Sequence, residues 1–259
     1  MEVFLSRPPL HPRLIGLVDR VWWAAPQPAG QVSEEWVMPT CRAQIIFAPE
    51  ASSLVGPKVA AERIERRLSE PMVGVSLVAG ATSAFVGAGG SDLRGATEPL
   101  DALMPVGSRP DLLAECGGAA ALNRVEAEMV NRLGDLVTDP AVQAVERAIR
   151  EGHSATAAIA ELGVDRRTFV PDFHHAVGVT PKRYERICRF NQAVAAVRHV
   201  NAMPLASIAA AHGFADQAHM TREIRHFART KPSLMHRDGT NMVNHLEPEK
   251  IEPDKIFKT

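Results

Sequence analysis

The strongest constraint on the fold is a stretch near the C-terminus in which two helical patterns meet at a glycine. The stretch runs from Leu205 to Arg229 and reads LASIAAAHGFADQAHMTREIRHFAR. Two sets of apolar residues recur at helical spacing, one on each side of Gly213. They are Leu205, Ile208, Ala209 and Ala211, and then Ala218, Met220, Ile224 and Phe227. Because glycine allows the positive φ or close approach that a tight corner needs, the pattern predicts a helix-turn-helix.

The polar face of the second predicted helix has the chemistry of a DNA-reading surface. On a helix that starts near Asp216, the candidate DNA contacts are Gln217, Ala218, His219, Thr221, Arg222 and Arg225. Gln can pair with an adenine edge, and Arg with guanine or with a phosphate. Ala218 can offer only an apolar contact, such as one to a thymine methyl group. The alternative interpretation is an ordinary solvated helix face.

An internal repeat favours the DNA-reading interpretation. About fifty residues earlier, Ala158 to Pro181 has the same plan, with a short apolar helix, a turn at Gly163-Val164 and a second helix whose Phe169 and Phe173 point inward. Between the two units, Lys182 to Val200 reads as one long helix. Its apolar residues lie three or four apart and are Tyr184, Ile187, Phe190, Val194 and Val197.

The first unit is the less convincing DNA reader. Arg166 and Arg167 begin its second helix and are candidate phosphate or base contacts, with Arg167 the favoured base contact. Pro171 and Asp172 follow in the middle of that helix. Proline removes a backbone hydrogen bond and should kink the helix, and Asp172 repels phosphate. We expect this unit to contribute less to sequence reading than the second.

The C-terminal part of the chain resembles the DNA-binding domain of the AraC/XylS family of bacterial transcription regulators, over roughly residues 140–237. The matching segments are GVTPKRYERICRFNQA, LASIAAAHGFADQAHMTREIRHF and KPSLMHR. The resemblance implies seven helices, with two recognition helices at opposite ends of a linker helix that enter successive major grooves. It also places Gln217, Ala218, Thr221 and Arg222 at base-facing positions. Arg229 departs from the glycine that the family usually has at this helix end, so we expect the second helix to end without a left-handed cap.

Charge divides the chain in a way that fits this assignment. Residues 1–139 carry 12 Lys and Arg against 17 Asp and Glu, a balance of −5, whereas residues 140–240 carry 14 against 9, a balance of +5. A basic C-terminal region is expected of a domain that binds a polyanion. Cys41, Cys116 and Cys188 are far apart and lack CxxC spacing, which is typical of a reducing compartment. Without a signal peptide or membrane span in the sequence, we expect a cytoplasmic protein.

The N-terminal half reads as a small β-rich domain followed by helices. Short apolar runs, separated by Pro, Gly and Ser, lie at Leu14 to Trp23, Ala43 to Phe47, Leu54-Val55 and Val73 to Val78. Five glycines should form tight turns, namely Gly74, Gly80, Gly87, Gly89 and Gly90. Helices are predicted at Asp101 to Val106 and at Leu112 to Leu136. The apolar stripe of the latter should pack on its own domain, with a dimer seam as the alternative.

Trp22, Trp23 and Trp36 are the candidate ligand-binding residues of this half. Tryptophans early in a β domain are more often core residues than pocket linings. Adjacent Trp22 and Trp23 must point to opposite faces of a strand, so one of them should face a pocket, a partner or the second domain. The order of motifs here resembles, more loosely, the sensor-type domain of one group of AraC/XylS regulators, although Pro39-Thr40-Cys41 departs from it.

Catalysis and metal binding find little support in the sequence. Residues 1–139 contain one histidine, His11, and no Ser or Cys in a nucleophile-elbow motif. Eight of the ten histidines lie between residues 153 and 236, but none has the spacing of a carboxylate-supported zinc pair. We therefore expect no catalytic site, no metal and no cofactor. A DNA-alkylation repair enzyme would need an acceptor cysteine in a cysteine-rich zinc site, which isolated Cys41 and Cys116 do not provide.

We predict an α+β protein with three parts. Residues 1–137 form a β-rich sensing or self-association domain with packing helices, residues 138–239 an all-α domain with two helix-turn-helix units joined by a long helix, and residues 240–259 a polar tail that is mobile or straps onto the protein's own surface. The predicted function is regulation of transcription by reading two successive major grooves of double-stranded DNA, modulated through the N-terminal domain. A small-molecule effector, RNA polymerase and a second copy of the chain are the further candidate partners. The alternative is a protein-docking regulator with weakened DNA binding.

Overall fold

The structure, a computed structural model, describes residues 4–26, 33–48, 52–66, 71–103, 118–133, 135–199, 203–229 and 241–243. Within this part of the chain, strands gather in the N-terminal half and helices in the C-terminal half, which confirms the α+β class. The strands are β1 Phe4–Arg7, β2 Val18–Ala24, β3 Ser33–Val37, β4 Gln44–Phe47, β5 Ser53–Val55, β6 Glu62–Arg66, β7 Met72–Leu77, β8 Thr97–Pro99 and β9 Asn241–Val243.

The helices include the long connector that the apolar spacing predicts. They are α1 Ala81–Val86, α2 Leu100–Leu103, α3 Gly118–Leu133, α4 Pro140–Arg150, α5 Ala155–Glu161, α6 Arg166–Val177, α7 Pro181–His199, α8 Leu205–Ala211 and α9 Gln217–Ala228. Helix α7 matches the predicted helix at 182–200 within a residue at each end. The C-terminal part of the chain thus has six described helices, and the segment at 230–240 lies outside the described residues. None of the described helices is long and apolar enough to cross a membrane.

The strands form two sheets. The larger sheet is antiparallel in the order β1-β2-β7-β4-β5-β8, and the smaller has the order β6-β3-β9. The predicted strand at Leu14 begins only at Val18, because Pro12–Leu14 form a 3-10 turn whose N-cap is His11. The strand β9 from the C-terminal tail pairs in parallel with β3. The tail therefore straps back onto the N-terminal domain at this point.

Gly74 does not form a turn, and the prediction for it is wrong. It lies inside β7, opposite Trp22 in β2. A Cβ at Gly74 would come within 2.1 Å of the Trp22 ring, so the strand needs glycine to make room for the indole. Gly80 and Gly87 do lie at turns, since each adopts a left-handed conformation at one end of α1.

The stripe of α3 packs on its own domain, as the first of the two alternatives predicts. Its buried residues contact the β2–β7 face and the Pro12–Leu14 turn, and they include Leu122, Val125, Met129 and Leu133. The predicted start of this helix at Leu112 lies outside the described residues. Together with the strands, α3 closes the first hydrophobic core.

A second core joins the two halves of the molecule. It contains the apolar residues of all six C-terminal helices, and it also takes in Met38, Cys41, Ala61 and Ala79 from the N-terminal half. The N-terminal half therefore contributes buried apolar residues to the surface against which the C-terminal helices pack. This continuity fixes how the helix-turn-helix units sit relative to the sheets.

Candidate DNA-binding surface

The second helix-turn-helix unit consists of α8, a short turn and α9. Gly213 adopts φ +69° in the turn, and Phe214 beside it is buried. Asp216 caps α9, since its carboxylate accepts a hydrogen bond from the backbone N–H of His219 at 2.5 Å. The predicted glycine corner is thus present, and the cap explains why the helix begins at Gln217. Ala211, predicted to lie on the apolar face of α8, is exposed, because two residues turn a helix by about 200° and so place it away from Ala209.

Helix α9 has one fully buried face and one exposed face. Met220, Ile224 and Phe227 are each 0% exposed. On the other side, Gln217, Ala218, Arg222 and Arg225 are exposed, and His219 and Thr221 are half-buried. The structure therefore places all six candidate residues on a single helix and outside its buried face, five of them in the first half of α9 and Arg225 in its last turn. The buried face cannot rotate without exposing Phe227, so the orientation of the exposed row is fixed.

His219 takes part in the turn as well as in the exposed row. Its Nδ1 accepts a hydrogen bond from the backbone N–H of Ala215 at 3.3 Å, and its ring meets Phe214 edge-on at 5.5 Å between centroids. The imidazole is thus oriented by the turn. Only its other ring nitrogen is left for a partner outside this contact.

The linker helix α7 holds the second unit through two arginines that the sequence analysis missed. Arg186 forms a two-point ion pair with Glu223 of α9, at 2.9 and 2.8 Å. The hydrogen bonds from Arg186 lower the pKa of the Glu223 carboxyl, and Glu223 in turn raises the pKa of Arg186. Arg189 donates to the carbonyl of Gly213 at 3.2 Å, and its guanidinium lies 5.1 Å from the Phe214 ring centroid. The only sequence signal for this bracing is Glu223, a carboxylate on the inward side of α9.

The first unit consists of α5, a turn at Gly163 and α6. Ser154 caps α5, and Asp165 caps α6 by accepting from the backbone N–H of Arg167 at 3.0 Å. Phe169 and Phe173 are buried, as predicted from the repeat. Arg166 and Arg167 are exposed in the first turn of α6. The two units thus share an aspartate cap, an equivalent pair of buried residues and exposed residues in the first turns of the recognition helix.

The helix α6 continues through Pro171, which is exposed together with Asp172. Proline cannot donate to the carbonyl four residues earlier, that of Arg167, so one internal hydrogen bond is missing on the solvent side. Water can hydrate a carbonyl there, which explains how the helix runs on to Val177. Helix α6 therefore presents the apolar ring of Pro171 at the position that corresponds to Arg222 of α9, with the exposed carboxylate of Asp172 beside it.

The two recognition helices end in the same backbone conformation with different residues. Gly178 after α6 adopts φ +88°, and Arg229 after α9 adopts φ +56°. Each donates its N–H back into the helix, to the carbonyls of His174 and Arg225 at 2.8 and 3.1 Å. The expectation that α9 ends without a left-handed cap is wrong. Arg229 takes up that conformation at a cost of roughly 1–2 kcal/mol.

The C-terminal ends of both recognition helices dock against the N-terminal half. At α9, the N–H of Ala61 donates to the carbonyl of Phe227 at 2.7 Å. At α6, the N–H of Gly90 donates to the carbonyl of Ala176 at 3.3 Å, and Arg94 donates to the carbonyl of Gly178 at 3.3 Å. These donors satisfy carbonyls that helix ends leave free. Except for Arg225, which is in the last turn of α9, the exposed candidate residues lie toward the opposite, N-terminal ends of the same helices.

A buried ion-pair network also joins the two halves. Arg42, whose side chain is 3% exposed, contacts Asp19 at 2.5 Å and Glu146 of α4 at 3.1 Å. The hydroxyl of Tyr184 donates to Glu146 at 2.6 Å. Burial raises the pKa of Tyr184. Burial alone would lower the pKa of Arg42, but Tyr184, Asp19 and Glu146 outweigh it and raise that pKa, so the guanidinium stays charged.

The three tryptophans occupy different environments. Trp22 is 1% exposed and stacks on Phe4 with 6.0 Å between centroids. Trp23 faces the other side of β2 and packs against the first core, close to Gly118. Trp36 lies in the smaller sheet and packs against the second core. The alternation predicted for Trp22 and Trp23 is confirmed, and both faces turn out to be packed.

Two of the three cysteines fall in the described residues. Cys41 is buried and Cys188 is half-buried, and burial raises the pKa of the Cys188 thiol to about 12. Burial also raises the pKa of the Cys41 thiol, so the surroundings of both cysteines disfavour the thiolate form. The histidines do not gather with other ligands, since the described ranges hold no group of three His, Cys, Asp or Glu side chains that could bind a metal ion.

Comparison with known proteins supports the assignment of the C-terminal part. Residues 158–238 match the family described as a helix-turn-helix domain, which confirms the AraC-type resemblance for this region. No curated protein sequence matches the chain. The xylose-binding transcription activator xylR is 13% identical over 46% of this chain, with a TM-score of 0.33, and the match spans 39% of the length of xylR.

Structures of ToxT from Vibrio cholerae also match most of the chain. One ToxT structure is 9% identical over 92% of this chain and 100% of that chain, with a TM-score of 0.39. Another, bound to (E)-4-(8-methylnaphthalen-1-yl)but-3-enoic acid, is 9% identical over 90% of this chain and 98% of that chain, with a TM-score of 0.43.

Proposed function

Because residues 158–238 form a helix-turn-helix domain of the AraC type, we propose that the protein is a sequence-specific DNA-binding regulator of transcription. The observation that carries the proposal is the exposed row of Gln217, Ala218, Arg222 and Arg225 on a helix whose opposite face is fully buried. Such a row gives a major groove one amide, one methyl group and two guanidinium groups. The proposal involves no covalent chemistry.

We propose further that the two units enter successive major grooves, with unequal tasks. Both recognition helices are held by α7 and by the N-terminal half, so they approach DNA as one body. In α9, Arg222 and Gln217 provide base recognition. In α6, Arg166 and Arg167 provide mainly phosphate contacts, because Pro171 and Asp172 occupy the middle of the exposed face.

Modulation through the N-terminal half follows from the same contacts. Ala61 donates a hydrogen bond to the C-terminal end of α9, and Gly90 and Arg94 donate to the C-terminal end of α6. A shift of the N-terminal half would therefore change the distance and angle between the two recognition helices. A small-molecule effector would act to the extent that it binds one arrangement more tightly than the other. RNA polymerase and a second copy of the chain stay predicted partners.

Fluorescence anisotropy on labelled promoter fragments over a salt series tests the function. We expect selective binding with a steep negative dependence on salt, because phosphate contacts release counterions. The double variant Gln217→Ala/Arg222→Ala should lose the preference among fragments and keep much of the salt dependence. Weak binding that is equal for all fragments and unchanged in the variant would reject DNA reading and favour the protein-docking alternative.

A further inference from the structure

Two adjacent residues of the linker helix α7 each contact a different helix-turn-helix unit. Glu185 accepts a hydrogen bond from the backbone N–H of Ala155, the first residue of α5, at 2.8 Å. Arg186 forms its two-point ion pair with Glu223 of α9. Because neighbouring residues of a helix point about 100° apart, these two side chains reach the first and the second unit from the same turn of α7.

The contact to the first unit lies at the start of α5. The first N–H groups of a helix have no partner inside it, and a carboxylate is favoured there by the helix dipole. Ser154 accepts from the N–H of Ala157, and Glu185 accepts from that of Ala155. Lys182 donates to the other carboxylate oxygen of Glu185 at 2.7 Å. Burial would raise the pKa of Glu185, but the hydrogen bonds from Lys182 and Ala155 outweigh it and lower that pKa, so the group stays charged.

The contact to the second unit has a defined geometry. The Arg186 guanidinium donates to both carboxylate oxygens of Glu223, and a two-point pair of this kind restricts the orientation of its partners as well as their distance. The Glu223 side chain is 11% exposed, so few water molecules can compete for the pair. The Cζ atom of Arg186 also lies 5.4 Å from the centroid of the Phe227 ring. The pair therefore fixes how α9 is turned against α7.

Aromatic side chains make the apolar contacts between α7 and the recognition helices. Tyr184 packs edge-on against Phe173 of α6, and Phe190 packs against Phe227 of α9, at 5.9 and 5.3 Å between ring centroids. Burial of apolar surface is strongly favourable but not directional, so it holds the helices together without selecting one angle between them. The directional contacts of α7, one to each unit from adjacent residues, are the features that select an angle.

We propose that Glu185 and Arg186 are positioning residues that set the spacing between the two DNA segments that the protein accepts. This proposal rests on the proposed function, in which α6 and α9 enter successive major grooves about one helical turn apart. One base pair more or less between the segments shifts one groove by about 3.4 Å and rotates it by roughly 35°. Two units held at one angle fit a single spacing, whereas units that turn against each other fit several.

Distances between the two units in the free protein test the positioning without DNA. Ala160 and Ala210 are exposed, and each lies three residues before the turn glycine of its unit. Spin labels attached at these positions through a ketone-bearing amino acid leave the native cysteines unlabelled, and double electron–electron resonance measures the distribution of their distances. We expect a narrow distribution in the original protein and a broader one in Arg186→Gln. Equal widths, in a variant with the circular dichroism spectrum of the original, would overturn the proposal.

Binding to duplexes of graded spacing tests the consequence for DNA. Two of the duplexes have one base pair removed from or added to the preferred operator, between the two contacted segments. The original protein should bind the preferred spacing about tenfold more tightly than either neighbour, because a misplaced groove costs at least as much as a mismatched base pair. Glu185→Gln and Arg186→Gln should each bring the three affinities to within about threefold, since the units can then turn to meet either groove. A uniform loss for all three duplexes, with the original ratio kept, is the result of reduced folding alone and would overturn the proposal.

A reversed ion pair and a matched arginine separate positioning from loss of charge. Arg186→Glu combined with Glu223→Arg rebuilds the pair with opposite polarity and should restore most of the spacing preference. Arg132→Gln removes an ion pair with Glu128 that lies within the single helix α3, and it should keep the full preference. A folded reversed pair that is as tolerant of spacing as Arg186→Gln would assign the effect to the arginine itself and overturn the proposal.

The two measurements also separate this proposal from the proposed function. If the distance distribution broadens in Arg186→Gln but the original protein binds no duplex selectively, the proposed function fails and the positioning of the two units stands. If the original protein binds DNA selectively but neither variant changes the spacing ratio, the proposed function stands and the positioning role fails.

Discussion

The two helix-turn-helix units have the same interior and different exteriors. Both recognition helices begin at an aspartate cap and bury an equivalent pair, Phe169 and Phe173 in one and Met220 and Ile224 in the other. Their exposed faces differ, with Pro171 and Asp172 in α6 and with Arg222 in α9. The difference teaches that the residues that build the fold are separate from those that would read DNA, so one can be kept while the other changes.

The largest expected effect comes from removing one arginine from each unit. Arg222→Ala should weaken binding to the preferred DNA about tenfold to a hundredfold and relax its sequence preference, because a two-point contact to guanine contributes about 1–3 kcal/mol of discrimination. Arg167→Ala should weaken binding by a smaller factor, and that factor should be about the same for every DNA sequence. Anisotropy on preferred and scrambled duplexes measures both. Equal losses of preference in the two variants would remove the proposed division of tasks.

The helix ends respond to substitution in opposite directions. Gly178→Ala should lower the free energy of unfolding by about 2 kcal/mol, because φ is positive there and the new Cβ would lie 2.7 Å from the carbonyl oxygen of Gly90. Thermal or urea unfolding measures the change. A neutral Gly178→Ala substitution would show that the N-terminal half is not docked on α6 as described.

Arg229→Gly should stabilise the protein by up to about 1 kcal/mol, since glycine adopts the left-handed conformation without the steric cost. The same unfolding measurement applies, with Arg225→Gly inside α9 as a control that should destabilise by about 1 kcal/mol. If Arg229→Gly also destabilises, the arginine side chain makes a contact that outweighs its backbone strain.

The ion pair between Arg186 and Glu223 should make the free energy of unfolding depend on pH in the acid range. The pKa of Glu223 is lowered in the folded protein, so the pair stabilises the fold above the unfolded pKa of about 4.3 and the contribution is lost as the pH falls through the folded pKa. Glu223→Gln should cost up to about 1 kcal/mol at pH 7 and less at pH 3. Urea unfolding at both values measures it, and a cost that stays constant with pH would exclude the ion pair as its source.

The smallest expected effect tests whether the first unit can be improved. Asp172→Asn removes a negative charge from the exposed face of α6 without changing its size. DNA binding should strengthen about twofold at low salt and by less at high salt, because the repulsion is screened. Asp165→Asn at the helix cap is an unsuitable comparison because it alters α6, so Glu161→Gln at the end of α5 serves as the control. No change at any salt concentration would place α6 away from the DNA backbone.

The sequence allowed the helical half to be predicted well because its signals are local. Gly213, the repeated apolar spacing and the long run before it define α7, α8 and α9 without any distant contact. In the N-terminal half, β3 and β6 were missed because SEEWV and ERIER are rich in charge and give no apolar alternation. These strands depend on pairing with each other, which a local pattern does not contain.

The contacts between the two halves could not be predicted from local sequence patterns, for a related reason. Arg42 and Glu146 are 104 residues apart, and Ala61 meets Phe227 across a still longer separation. The sequence around Arg42 and around Ala61 contains no motif, so nothing local marks either residue as part of an interface. The exposed row on α9 could be predicted, whereas the bracing by Arg186 and Arg189 and the ion-pair network around Arg42 required the fold.

Missing-base interference on a selected operator tests most directly whether the two units divide their tasks. The account predicts one cluster of bases whose removal weakens binding strongly, at the groove read by α9, and backbone protection with weak base interference about one helical turn away. Arg222→Ala should abolish the first cluster and leave the second. Two clusters of equal strength, or a single protected groove, would contradict the account.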